Sequence, residues 1–123
     1  MSAGPPSYTL PEIERRKETC RKLIAERRLV GGHLGFETCP SPTWDVLLDL
    51  YLAHLEHRST YLWSLCIAAN IPMSSAHRKI GELVSNGLLE RLADADDGRR
   101  VTMRLMPETL LLMDRLIDDM AAL

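Results

Sequence analysis

The chain has 123 residues, of which 46% are hydrophobic and 26% charged, and these values predict one folded soluble domain rather than two. Its formal net charge of −2 is unevenly distributed, because residues 12–28 carry seven basic and four acidic side chains whereas residues 105–123 carry one and four. Three cysteines without CxxC spacing argue against a disulfide framework or a zinc ribbon, and no apolar run is long enough for a membrane span.

The amino-terminal region predicts a tail followed by a helix. Residues 1–8 show no apolar periodicity and are expected to be disordered, and the absence of an export signal predicts a cytoplasmic protein. Thr9 and Glu12 have the spacing of a capping box, and the glycine pair at 31–32 is typical of a helix end. A helix is therefore predicted over residues 9–31. Its narrow apolar stripe suggests that it docks only weakly on a single core.

The second predicted helix, residues 42–56, supplies the centre of the core. Ser41 is a suitable N-cap and Pro42 a suitable first residue. Apolar side chains cover most of the circumference of this helix, as expected for a helix surrounded by other elements. The remaining wedge is acidic and consists of Asp45, Asp49 and Glu56.

A helix-turn-helix follows in the chain. Helices are predicted over residues 62–69 and 73–86, with a break at the Asn-Ile-Pro segment 70–72 between them. Two helices joined by so short a turn are the elements of a helix-turn-helix.

The last third of the chain predicts a hairpin and a final helix. Residues 88–93 and 101–105 have strand patterns around the turn cluster 94–98, and a helix is predicted over residues 107–123. Its apolar residues cover about half of the circumference. They are Leu110, Leu112, Met113, Leu116, Ile117 and Met120.

The order of these elements predicts a mainly α fold with a small β-hairpin. Residues 9–123 are expected to form a single winged-helix domain. Within it, residues 58–106 form the winged helix-turn-helix, and the two terminal helices flank it.

Residues Ser64 to Leu105 carry the most specific sequence pattern. Its central part is Gly87-Leu88-Leu89-Glu90-Arg91, followed by Asp94 and by Asp97-Gly98-Arg99. In this pattern the chain resembles the MarR-type winged helix-turn-helix transcriptional regulators. The resemblance implies a DNA-binding regulator in which Asp97 orients Arg99 through a charge-assisted hydrogen bond and Gly98 supplies the turn conformation.

The helix over residues 73–86 is the candidate DNA-reading element. Its predicted buried side consists of Ala76, Ile80, Leu83 and Val84. The opposite side and its flanks provide the candidate DNA-binding residues Ser74, Ser75, His77, Arg78 and Lys79. Small hydroxyl residues permit close approach to a major groove, where Arg78 can donate hydrogen bonds to guanine O6 and N7.

Glu82 would repel phosphate unless it accepts a hydrogen bond from a cytosine amine or pairs with a neighbouring arginine. The alternative for this face is a solvated helix surface.

Arg99 and Arg100 at the hairpin tip complete the candidate DNA-binding set, since a narrow minor groove attracts guanidinium groups. An exposed hairpin with scattered charges is the alternative.

Five basic residues of the first helix are candidates for phosphate contacts or, equally, for a role in solubility. They are Arg15, Arg16, Lys17, Arg21 and Lys22.

Sequence-specific binding of double-stranded DNA is the function these features favour. A winged helix used for protein–protein contact is the alternative, because residues 77–104 carry six basic against five acidic side chains.

No enzyme is expected, since no nucleophile and base stand at a recognisable spacing. No cofactor or metal is expected either, because the pair His54 and His57 lacks a further ligand. Cys39 is the cysteine best placed for oxidation, and a small-molecule effector is allowed but not identified.

A homodimer is predicted through residues 10–30 and 107–123. Both terminal helices carry apolar residues that one small core does not fix in place. Four residues of the last helix are expected to be divided between the core of the domain and a partner subunit: Leu110, Met113, Ile117 and Met120.

Overall fold

The computed structural model describes residues 9–123, so the tail predicted at residues 1–8 lies outside the described part of the chain. Within these residues, five helices and three strands follow one another. In chain order they are α1 (Leu10–Leu34), α2 (Pro42–Leu55), β1 (Thr60–Tyr61), α3 (Leu62–Ala68), α4 (Met73–Ser85), β2 (Leu89–Ala93), β3 (Val101–Leu105) and α5 (Pro107–Ala121).

The start of α1 was predicted correctly, but its end was not. The Thr9 hydroxyl accepts a hydrogen bond from the Glu12 amide at 3.3 Å, and the Glu12 carboxylate accepts one from the Thr9 amide at 2.9 Å. The helix then continues through both predicted stop glycines to Leu34, and its C-cap residue is Gly35, which has φ 88°. Gly31 is buried against the ring of Phe36, which occupies the space that a Cβ would need. This glycine therefore serves packing rather than termination.

Helix α1 contacts the rest of the domain through a narrow buried stripe and through polar side chains. Cys20 is fully buried, and two arginines of α1 reach carboxylates on other helices. Arg27 Nε donates to Asp45 Oδ1 of α2 at 2.7 Å, and Arg16 Nη2 donates to Asp118 Oδ2 of α5 at 2.8 Å. Helix α1 is thus held against the neighbouring helices by ion pairs as well as by its narrow apolar stripe. Asp45, a member of the acidic wedge of α2, is buried and pairs with Arg27 of α1.

The second helix lies at the centre of the core, as predicted. Val46, Leu48 and Tyr51 are almost completely buried, and the helix contacts α1, α3, α4 and β3. Pro42 is its first residue. Ser41 occupies the N-cap position, but its side chain makes no capping hydrogen bond.

The helix-turn-helix and the hairpin are confirmed, and a short third strand was missed. The sheet is antiparallel with the order β1-β3-β2, and Leu89 of β2 lies opposite Leu105 of β3. Strand β1 pairs Thr60 with Met103. Two residues are too few to produce a detectable alternation of polar and apolar side chains, so sequence pattern alone could not reveal this strand.

The last helix packs one face on the core and exposes another. Of the four residues expected to be divided between the core and a partner, Met113 and Ile117 are buried within the chain, and Leu110 and Met120 are half-buried. The exposed large apolar residues of α5 are Leu111, Leu112 and Leu116. Asp114, also buried, accepts a hydrogen bond from the Tyr51 hydroxyl at 2.6 Å. A carboxylate on the inner face thus joins α5 to α2.

No helix within residues 9–123 is both long and apolar enough to cross a membrane.

Candidate nucleic-acid interface

Helix α4 presents a polar face because its apolar residues are fixed in the core. Ala76 and Ile80 are completely buried and Leu83 nearly so, as the spacing predicted. Val84 is half-buried and packs against the same cluster. These contacts set the rotation of the helix, and they direct its opposite side outward.

The outward side of α4 brings the predicted DNA-binding residues together. Ser74, His77 and Arg78 are exposed, while Ser75 and Lys79 are half-buried at the flanks. Within residues 9–123, Arg78 has no ion-pair or side-chain hydrogen-bond partner, so its guanidinium group projects from the surface with its donors open to a ligand.

The basic neighbour of Glu82 is a lysine rather than an arginine. The Lys79 ammonium lies 3.2 Å from the Glu82 carboxylate, one helical turn away. The pairing neutralises part of the negative charge on this face, which reduces its repulsion of phosphate.

Arg99 is the most exposed cation of the hairpin tip, with 94% of its side chain accessible. Its Nε and its backbone amide both donate to Asp97 Oδ1, at 3.3 and 3.0 Å. This is the contact that the resemblance implied for Asp97.

Gly98 lies in the turn closed by the hydrogen bond from the Arg100 amide to the Asp97 carbonyl, at 2.9 Å. Its φ is not in the left-handed region and a Cβ would meet no atom, so the turn does not require glycine here.

Arg100 belongs to the wing, which we define as β2, β3 and the connecting residues 94–100, and it packs against Tyr61 of β1. Its guanidinium carbon is 5.3 Å from the centroid of the Tyr61 ring, and its Nε is 3.7 Å from Asp97. Tyr61 in turn donates to Asp94 at 3.2 Å. Hydrogen bonds, first from the Asp96 amide and then from Tyr61, hold the pKa of Asp94 below its ordinary value. Arg100 therefore has more contacts with the described residues than Arg99 and a smaller exposed fraction, 60% against 94%.

A groove that the sequence did not reveal lies between α4 and the wing. It has a volume of about 480 Å³. Its lining consists of Tyr61, Leu62, Trp63, His77, Arg99, Arg100 and Val101. Trp63 is 62% exposed, although it stands among apolar residues in the sequence. The only available signal was the pair of aromatic residues at the start of α3.

The basic residues of α1 are largely engaged within the chain. Arg16 pairs with Asp118, and Arg21 lies 2.7 Å from Glu56. Lys17 and Lys22 pair with glutamates one turn earlier in α1, at 3.3 and 3.6 Å. Arg15 is the one member of this group without an ion pair among the described residues. These contacts favour structural and surface roles over phosphate binding.

The remaining candidates stay separate from this interface. Cys20 and Cys66 are buried, and burial raises the pKa of the Cys20 thiol to about 12, so it stays protonated. Cys39 is half-buried. In the part of the chain that the structure describes, His54 and His57 are not joined by a third residue able to hold a metal ion.

Comparisons with known proteins give structural matches only. No protein-family model matches the chain, and no curated protein is similar enough in sequence to match it. A MarR family transcriptional regulator from Silicibacter pomeroyi DSS-3 superposes with a TM-score of 0.53 at 22% identity, over 81% of this chain and 71% of that one. Wild-type MarR of E. coli in its apo form gives a TM-score of 0.51 at 17% identity, over 90% and 75%.

The heme sensor protein PefR, in complex with heme and carbon monoxide, gives a TM-score of 0.53 at 12% identity over 89% of this chain and 73% of its own. At these identities the likeness establishes a shared arrangement of helices, turn and hairpin. The chain therefore has the winged helix-turn-helix fold of the MarR family transcriptional regulators.

Proposed function

We propose that the protein is a transcriptional regulator that binds double-stranded DNA in a sequence-specific manner. Helix α4 enters the major groove and the tip of the wing enters the adjacent minor groove. The observation that carries this proposal is the presence of two available arginines at the surface. Arg78 on α4 has no ion pair within residues 9–123, and the side chain of Arg99 on the wing is 94% exposed. The fold is that of known transcriptional regulators, which supports the same function.

The two arginines suit different grooves. Arg78 stands on a helix beside the small residues Ser74 and Ser75, which let the helix approach base edges closely. Arg99 stands on a narrow hairpin, a shape that fits the minor groove, where the electrostatic potential of A/T-rich DNA attracts guanidinium groups.

A homodimer fits this mode of binding. The exposed leucines Leu111, Leu112 and Leu116 form an apolar surface on α5 that a second copy would cover. A two-fold axis beside this surface would place two copies of α4 in successive major grooves, roughly 34–36 Å apart.

Titration of a fluorescent DNA duplex with the full chain at increasing salt tests the proposal. If Lys and Arg side chains displace counterions from phosphates, the logarithm of the affinity falls linearly with the logarithm of the salt concentration. Arg99→Ala should reduce that slope, whereas Arg58→Ala, which removes an exposed cation between α2 and β1, should leave it unchanged. Absence of binding at low salt would overturn the proposal and favour the alternative of a protein–protein contact module.

A further inference from the structure

Trp63 is the least expected feature of the surface near α4. Its side chain is 62% exposed at the start of α3, in the groove between α4 and the wing. We propose that Trp63 contacts the sugar-phosphate backbone of the DNA strand that passes between the two occupied grooves. This inference rests on the proposed function and adds to it a residue that positions the protein on the duplex.

The location of the groove determines which part of the DNA it faces. A sugar-phosphate backbone always separates a major groove from the neighbouring minor groove. If α4 occupies one and the wing occupies the other, that backbone must cross the space between them. Trp63 lines this groove together with His77 of α4 and Arg99 of the wing.

The chemistry of the groove suits a phosphodiester chain. Its walls carry two guanidinium groups, Arg99 and Arg100, and the imidazole of His77, which can hydrogen-bond to a phosphate oxygen. None of the described side chains that line it is acidic, and the Asp97 carboxylate, which lies within 3.7 Å of both arginines, balances only one of their two charges. An anionic occupant is therefore favoured over a neutral or acidic protein surface.

An indole group complements this charge with two further contacts. Its flat apolar face can pack on a deoxyribose ring, and its N–H is a donor without acceptor capacity, which matches a phosphate oxygen. A tryptophan exposed to this extent leaves a large apolar area in water, and tryptophan is enriched among the residues that dominate binding interfaces. Covering it with DNA removes that area from water.

The two tryptophans of the chain allow a direct optical test. Trp44 is half-buried in α2 and packs against the core, so it reports on the interior. Trp44→Phe leaves Trp63 as the single reporter, and Trp63→Phe leaves Trp44. On addition of a mixed-sequence DNA duplex at low salt, we expect the Trp63 reporter to change its emission and to become several-fold less accessible to acrylamide. The Trp44 reporter should show neither change.

Affinity measurements with a fluorescent duplex provide the second readout. Trp63→Ala should weaken binding about tenfold or more, as is common when an interface tryptophan is truncated. The salt slope should stay the same because no charge is removed. Ile67→Ala is the matched control, since Ile67 is an exposed apolar residue of α3 outside the groove, and it should leave the affinity unchanged.

The outcomes separate this inference from the proposed function. If the labelled duplex binds while the Trp63 reporter keeps its emission and quencher accessibility, Trp63 does not contact DNA and the inference is wrong, although DNA binding stands. If the duplex does not bind the wild-type chain at all, both proposals fail. A circular dichroism melt identical to that of the wild type shows that Trp63→Ala acts on binding and not on folding.

Discussion

Arg78 combines exposure with freedom from ion pairs, and it stands in the first half of α4. Arg78→Ala is expected to cost roughly 1–3 kcal/mol at one base position in each half-site, because a bidentate contact to guanine is worth about that much. Affinities for duplexes that differ by a single base pair measure this loss. Arg58→Ala, between α2 and β1, is the control for removal of a surface charge and should preserve discrimination. A loss of equal size for every sequence would assign Arg78 to a phosphate contact instead.

Asp118 links α5 to α1 and predicts a pH dependence of stability. Its carboxylate accepts hydrogen bonds from Arg16 at 3.0 and 2.8 Å, and this contact lowers the pKa of Asp118 below its ordinary value. Such a group stabilises the folded state above the ordinary carboxyl pKa of about 3.9, and the contribution disappears as the pH falls through the lowered pKa.

Asp118→Asn should therefore flatten the fall in the free energy of unfolding on acidification, which urea unfolding at several acidic pH values measures. Asp119→Asn is the control, because Asp119 is exposed and has no ion pair within residues 9–123. If both variants follow the wild-type profile, the ion pair between Arg16 and Asp118 does not contribute to stability in solution.

Individual residues differ in how far the sequence could predict them. The spacing of Ala76 and Ile80 fixed which side of α4 is buried, so the exposure of Arg78 followed from the helical period. The exposure of Trp63 did not follow, because an apolar residue in a short helix is by default assigned to the core. The partner of Arg27 was also hidden, since Asp45 is 18 residues away and the contact exists only after α1 and α2 pack together.

Helix α1 illustrates how neighbouring residues of one type can have different roles. Gly31 and Gly32 are both helical, but a Cβ at Gly31 would overlap the Phe36 ring, whereas a Cβ at Gly32 would meet no atom. Gly32→Ala is expected to stabilise the protein by roughly 0.5–1 kcal/mol through helix propensity. Gly31→Ala should destabilise it, because Phe36 must leave its site and lose its buried contacts. Chemical denaturation compares the two. Equal stabilisation by both substitutions would show that Phe36 gives way without cost.

The order of elements was predictable because each helix and each long strand has its own period, cap or turn residues. The end of α1 was not, because glycine is a signal for both helix termination and close packing, and Phe36 decides between them only in the folded chain. The short strand β1 depends on its pairing with β3 and has no local signal. Errors therefore fell where tertiary contacts override local preference.

The exposed leucines of α5 are the surface through which two chains are proposed to assemble. Leu112 and Leu116 are 58% and 41% exposed on the outer face of this helix. Leu112→Asp is expected to shift the protein from dimer to monomer, because a buried charge would replace an apolar contact in the interface. Light scattering measures the mass. Ile67→Asp introduces the same charge at an exposed position of α3 and should leave the mass unchanged. A wild-type protein that is monomeric at working concentrations would contradict the proposed interface.

Selection of binding sites from a pool of random-sequence DNA duplexes tests the proposed function most directly, because it examines sequence preference and symmetry together. With the full chain, we expect enrichment of an inverted repeat whose half-sites are about one helical turn apart, as required for two copies of α4 in successive major grooves. A pool that remains random after repeated rounds at low salt would contradict sequence-specific DNA binding by this protein.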